Sequence, residues 1–182
     1  TSCDSGSYNS KSKKKEPQTL LSKKEQLAHD FENNKLTNPF DFFNGVVAEY
    51  TLIQIHLVGI MKLMDNKGTS EEIIQEAKRG RTVAKRVFKK LKKIKAIGVG
   101  GSTLLTNCTK YAQFTELVCN DIITNNGVFD FSNENVATLV SCESDFVDYQ
   151  KTYASNNNFK LGADINVDEM YEDSKKSKKD KK

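Results

Sequence analysis

Between Asn38 and Asn158 the apolar positions recur every three and four residues, in four runs separated by polar or glycine-bearing breaks. That period predicts four long helices. The first run is Phe43, Val46, Tyr50, Ile53, Leu57, Ile60 and Met64, an a/d seam that stops at Gly68. Asn38 and Pro39 mark its start, because an Asn side chain accepts from the free N–H groups of a first turn and Pro has no N–H to leave unpaired there. Thr69 and Glu72 form a capping box for the second run, Ile73, Ala77, Gly80, Ala84, Val87, Leu91 and Ile94, which halts at Gly98, Gly100 and Gly101. The third carries Leu104, Cys108, Tyr111, Thr115, Val118 and Ile122 up to Asn125, Asn126 and Gly127. Ser132 is the expected cap of the fourth, which follows Leu139, Cys142, Phe146, Tyr149 and Tyr153 to the Asn156–Asn158 run.

Four amphipathic helices of similar length with short links bury their stripes together when neighbours run antiparallel. The expected fold is all-α, an up-down-up-down four-helix bundle. Leu20, Leu21, Leu27 and Phe31 suggest a short lead-in helix ahead of it. Both ends are too polar to join a core: residues 1–18 read as a flexible tether, 19–161 as the bundle domain and 162–182 as a charged, solvated tail. No run of about eighteen uniformly apolar residues occurs, so no membrane-crossing helix is expected.

Charge changes the picture more than bulk composition does. The net charge is only +4, but the second helix collects Lys78, Arg79, Arg81, Lys85, Arg86, Lys89, Lys90, Lys92, Lys93 and Lys95. Between Ala112 and Gln150 there are seven acids and no Lys or Arg. Lys85, Arg86, Lys89, Lys90, Lys92 and Lys93 are therefore the candidate contacts for a polyanion or a protein partner. The competing reading is a solvated face balanced by acidic neighbours within the fold. Phe88 lies near the seam rather than among the exposed Lys residues, which argues against base stacking and makes nucleic acid the weaker partner.

Catalytic and metal chemistry find no constellation. There is no C-x-x-C and no E-x-x-H, and His29 and His56 lie in separate segments, so no metal or cofactor is expected. Asp164, Asn166 and Asp168 begin like a calcium loop, but Glu169 replaces its turn glycine and Lys175 its closing carboxylate. Neither an enzymatic role nor a small-molecule substrate is expected. Cys119 and Cys142 would come level if the third and fourth helices are antiparallel, and are the geometrically natural disulfide pair; free buried thiols are the alternative. Cys3 follows the small residues Thr1 and Ser2 and precedes a polar stretch, as in the processed end of a bacterial lipoprotein, so Cys3 is the candidate lipidation site and the membrane a candidate partner.

The opening of the first helix, FNGVVAEYTLIQ, the long amphipathic second and third helices, and the end of the fourth, FVDYQKTYASNNNFKL, carry a resemblance. Over about residues 43–161 the chain resembles an uncharacterised family of bacterial surface lipoproteins built as helical bundles. It departs from that family in its Cys residues and its more basic second helix. The resemblance implies a non-enzymatic, lipid-anchored protein of the bacterial envelope or surface, and supplies no site residues. The alternative is a soluble binding module that uses the basic helix for nucleic acid or another polyanion.

Overall fold

The computed structural model describes residues 22–163 and 165–179, the last three of these by their backbone alone. Cys3 and the expected tether lie outside the described residues. Every regular element among them is helical: α1 (Lys23–Glu32), α2 (Pro39–Asp65), α3 (Ser70–Leu91), α4 (Gly101–Thr124), α5 (Glu134–Asn156) and α6 (Val167–Lys179).

The caps explain the boundaries. Asn38 accepts from the Phe40 N–H at the start of α2. Thr69 and Glu72 close the reciprocal box on α3, and Ser22 with Glu25 does the same for α1. The fourth long helix departs by one residue from expectation, since Asn133 accepts from the Asn135 N–H while Ser132 is held by Asp130. The three glycines after α3 do not stop it. α3 ends at Leu91, and Gly100, in the left-handed region at φ 82°, is instead the residue that launches α4.

The four seams become the core. Val46, Ile53, Ile60, Ala84, Val87, Leu104, Cys108, Tyr111 and Val118 are fully or almost fully buried, together with Phe146 and Tyr153. α3 packs on α2 and α4, α4 packs on α5, and α2 also meets α4. α2 and α5 meet mainly through large side chains: Tyr50 is stacked between Tyr111, 4.3 Å away, and Phe146, 3.9 Å away. At the end near the α2 N-terminus, the Tyr153 hydroxyl donates to the carbonyls of Ile97 (2.6 Å) and Pro39 (3.2 Å), tying three chain segments together. Burial pushes that hydroxyl up to about 12, so it stays a donor.

Two expectations are corrected. Residues 167–179 are not a solvated tail: α6 lies on α2, with Tyr171 only 2% exposed. The Tyr171 ring occupies the space a Cβ on Gly59 would need, just as the Phe31 ring of α1 does at Gly45, so α2 carries glycine where neighbouring rings press on its backbone. Lys62 on α2 pairs with Asp168 and Glu172 of α6, each at 3.2 Å. Secondly, α2 is long and apolar enough to cross a membrane by length and composition, with a mean hydropathy of 1.4 over an 18-residue window. It is nonetheless the helix around which α1, α3, α4 and α6 assemble. It also sends Glu49 into a partly buried ion pair with Lys90 and His56 into a hydrogen bond with Glu76.

Candidate functional site

The cations along α3 and just past its end differ in their partners. Arg79 donates to Glu76 Oε2 at 2.7 Å, Arg81 to the Asn120 side chain at 3.0 Å, and Lys90 to Glu49 Oε1 at 2.7 Å. Arg81 and Lys90 are thereby fastened to neighbouring helices, while Arg79, half exposed, pairs within α3 itself. Lys85, Arg86, Lys89, Lys92 and Lys93 are exposed and reach no carboxylate among the described residues.

Arg86, Lys89, Lys90 and Lys93 fall at i, i+3, i+4 and i+7, one stripe of an α-helix. With Glu32 from the end of α1 they line an open depression of about 620 Å³. α1 is brought there by Asn34, whose amide donates to the Lys93 carbonyl and whose oxygen accepts from the Lys95 N–H. Lys85 and Lys92 lie outside the depression, and Lys92 sits 5.2 Å over the Phe88 ring. Arg86, Lys89 and Lys93, none paired with a carboxylate among the described residues, against the single carboxylate of Glu32 make it a place for an anion's oxygens, reached through Lys stems and one Arg fork. The sequence placed these six cations on one helix. It did not reveal Glu32 as a lining group or Glu49 as the buried partner of Lys90.

Of the two readings of the cysteines, the structure has the free thiols: Cys119 and Cys142 form no bridge, and Cys108, Cys119 and Cys142 are all buried. Level height along two helices does not make two side chains face each other. Cys119 points toward α3, where its sulfur would lie 3.1 Å from a Cβ on Gly80 and Arg81 and Glu76 are its charged neighbours. The charged neighbours of Cys142 are Lys110 and Asp145. Burial raises all three thiols, Cys119 to about 12, so none is poised as a thiolate nucleophile.

His56 stands close to Cys119 and its Nδ1 lies 2.7 Å from Glu76 Oε1. Burial raises the Glu76 carboxyl, but the bonds from His56 and Arg79 outweigh it and hold it below its ordinary value. That trio has the residue types of a thiol protease, but the thiol is fully buried and unionised, and the carboxylate is committed to the α2–α3 interface. At the calcium-like stretch, Asn166 instead caps α6 by accepting from the Glu169 N–H, and Asp168 pairs with Lys62. No protein family, no curated protein and no solved structure matches this chain.

Proposed function

We propose that this is a non-catalytic, lipid-anchored protein of the bacterial envelope or surface, with α2–α5 as an up-down-up-down bundle that presents the basic face of α3 to an anionic partner. The observation that carries the reading is the set of exposed cations Lys85, Arg86, Lys89, Lys92 and Lys93, on α3 and just past its end, that reach no carboxylate among the described residues. Crowded like charges repel one another, and a partner's anionic groups would relieve that repulsion. The anchor is supported by Cys3 with its small neighbours, and by the resemblance to surface lipoproteins. The bundle topology is supported by the short links and by the packing of each long helix on the next.

Two experiments separate the parts of this reading. Membrane fractionation of the native protein tests the anchor: Cys3→Ser is expected to move it to the soluble fraction, and an unmodified Cys3 by mass spectrometry overturns it. Retention of the full chain on heparin tests the face. Arg86→Glu, Lys89→Glu and Lys93→Glu together are expected to shift elution to markedly lower salt while the Lys-rich ends stay unchanged. Unaltered elution overturns the anionic partner. A soluble module for nucleic acid is the second reading, but Phe88 is covered by Lys92 and offers no free ring for a base.

A further inference from the structure

We propose that the groove between α2 and α5 binds a small amphipathic amine, an alkyl- or aralkylammonium, with its charged head at Glu143. This inference goes beyond the anionic partner of α3 and does not rest on it.

The groove exists because α2 and α5 are held apart by the stacked rings of Tyr50, Tyr111 and Phe146. The chain leaving α5 then runs back toward α6 across the opening, and Leu161, Gly162, Ala163 and Ile165 form its outer wall. Below this strap is a compartment of about 410 Å³, within the size range of small-ligand sites. Its walls are mostly apolar, with Phe43, Val47, Phe146 and Val147 among them. Val147, Leu161 and Ile165 remain substantially exposed although each borders this space, which leaves apolar surface for a ligand to cover.

The polar groups define the head. Glu143 is the one charged residue among the described residues lining the compartment. Gln54 Nε2 donates to its Oε1 at 3.1 Å, which steadies the carboxylate and leaves its other oxygen open. Gln54 and Glu143 also line an adjoining compartment of about 280 Å³, so the carboxylate stands where the two meet. The single cation lining that second compartment among the described residues, Lys62, is already paired with Asp168 and Glu172. Tyr111 supplies an independent sign. It is fully buried, lines the second compartment, and its hydroxyl has no well-formed hydrogen bond, with the Tyr50 hydroxyl as its polar neighbour. A buried hydroxyl with so weak a bond gains from one further partner at its oxygen. Burial, with Glu143 nearby, raises both tyrosines, so each hydroxyl stays neutral. An ammonium donates to the Glu143 carboxylate and to the Tyr111 oxygen. An anion would meet Glu143 with nothing to offset it, and a neutral alcohol would leave the charge complementarity unused.

The test is titration of the full chain with n-hexylamine, n-hexanol and hexanoate, followed by methyl NMR of Val47, Val147, Leu161 and Ile165. Hexylamine is expected to bind 1:1 and shift these methyls, with hexanol weaker and hexanoate leaving them unmoved. Glu143 is exposed and its replacement leaves the core intact, so Glu143→Gln is expected to weaken hexylamine about tenfold, one charge-assisted hydrogen bond, without changing hexanol. Asp148→Asn, an acid of the same helix outside the groove, leaves hexylamine affinity unchanged. Absence of hexylamine shifts, equal shifts with hexanoate, or equal weakening by Glu143→Gln and Asp148→Asn overturns the proposal.

Discussion

Lys90 is the residue on which the reading of α3 can be tested most sharply. It belongs to the basic stripe, yet its ammonium is 2.7 Å from Glu49 Oε1, and the two side chains are 22% and 9% exposed. The other oxygen of Glu49 is buried with no hydrogen-bond partner among the described residues. Lys90→Ala therefore strands a carboxylate at the α2–α3 interface. Removing one partner of a fully buried pair costs about 3–5 kcal/mol. Water reaches the exposed part of Lys90, which reduces the expected loss to about 2–3 kcal/mol, or about 5–10 °C in Tm for a chain of this size. Lys89→Ala and Lys93→Ala, on exposed side chains without partners, are expected to change stability by less than about 0.5 kcal/mol. Urea unfolding followed by circular dichroism measures all three, and the double variant Glu49→Ala/Lys90→Ala should recover part of the loss through a coupling term. If Lys90→Ala unfolds at the same urea concentration as Lys89→Ala, the division of α3 into inward-fastened and outward cations is wrong.

Other consequences follow from the same contacts. Because the folded Glu76 carboxyl is held below its ordinary value, the stability it adds is present above the ordinary carboxylate range and is lost as pH falls through the lowered value. Glu76→Gln should lower stability near pH 7 by about 2 kcal/mol and flatten the acid limb of a Tm-against-pH curve; an acid limb of unchanged steepness counts against the pair. Gly59→Ala should displace the Tyr171 ring and release α6, seen as faster amide hydrogen exchange over residues 167–176 with α3 and α4 unaffected. Under oxidising conditions Cys108, Cys119 and Cys142 should stay reduced and react with iodoacetamide only after unfolding, which mass mapping of the alkylated peptides reads directly.

The bundle core was legible because burial and sequence period are the same signal. Val87, Leu104 and Phe146 are spaced to fall on one stripe, and a stripe has to be covered. Gly80 falls on the same kind of stripe in α3, and its missing Cβ leaves room for Cys119 and His56. What failed were relations between helices. A heptad count gives height along an axis but not direction around it, so Cys119 and Cys142 came level while facing different neighbours. Glu49 lies beside the seam residue Tyr50, and nothing local marks it as buried or as the partner of Lys90, forty-one positions away. The docking of α6 was overlooked because a Lys-rich composition outweighed Val167, Met170, Tyr171 and Ser174, whose spacing is helical. Its receptor was a glycine in the middle of α2, a residue whose purpose is visible only from the ring resting on it.

The same geometry bears on how the two proposed sites relate. Opposite charges in the two halves of the chain suggested mutual neutralisation, but α3 packs on α2 and α4, and its paired cations reach Glu49 of α2 and Glu76 of α3 itself. Glu143 of α5 is left to set the potential of the groove, and the exposed cations of α3 set that of their own face. An anionic surface would therefore draw α3 toward itself and leave the α2/α5 groove unoccupied by that contact. Heparin and hexylamine should then bind the full chain together, and the hexylamine-induced methyl shifts at Val147 and Leu161 should be the same with or without saturating heparin. Displacement of one by the other would mean that the two faces are not separate, and would remove the physical basis for assigning them different partners.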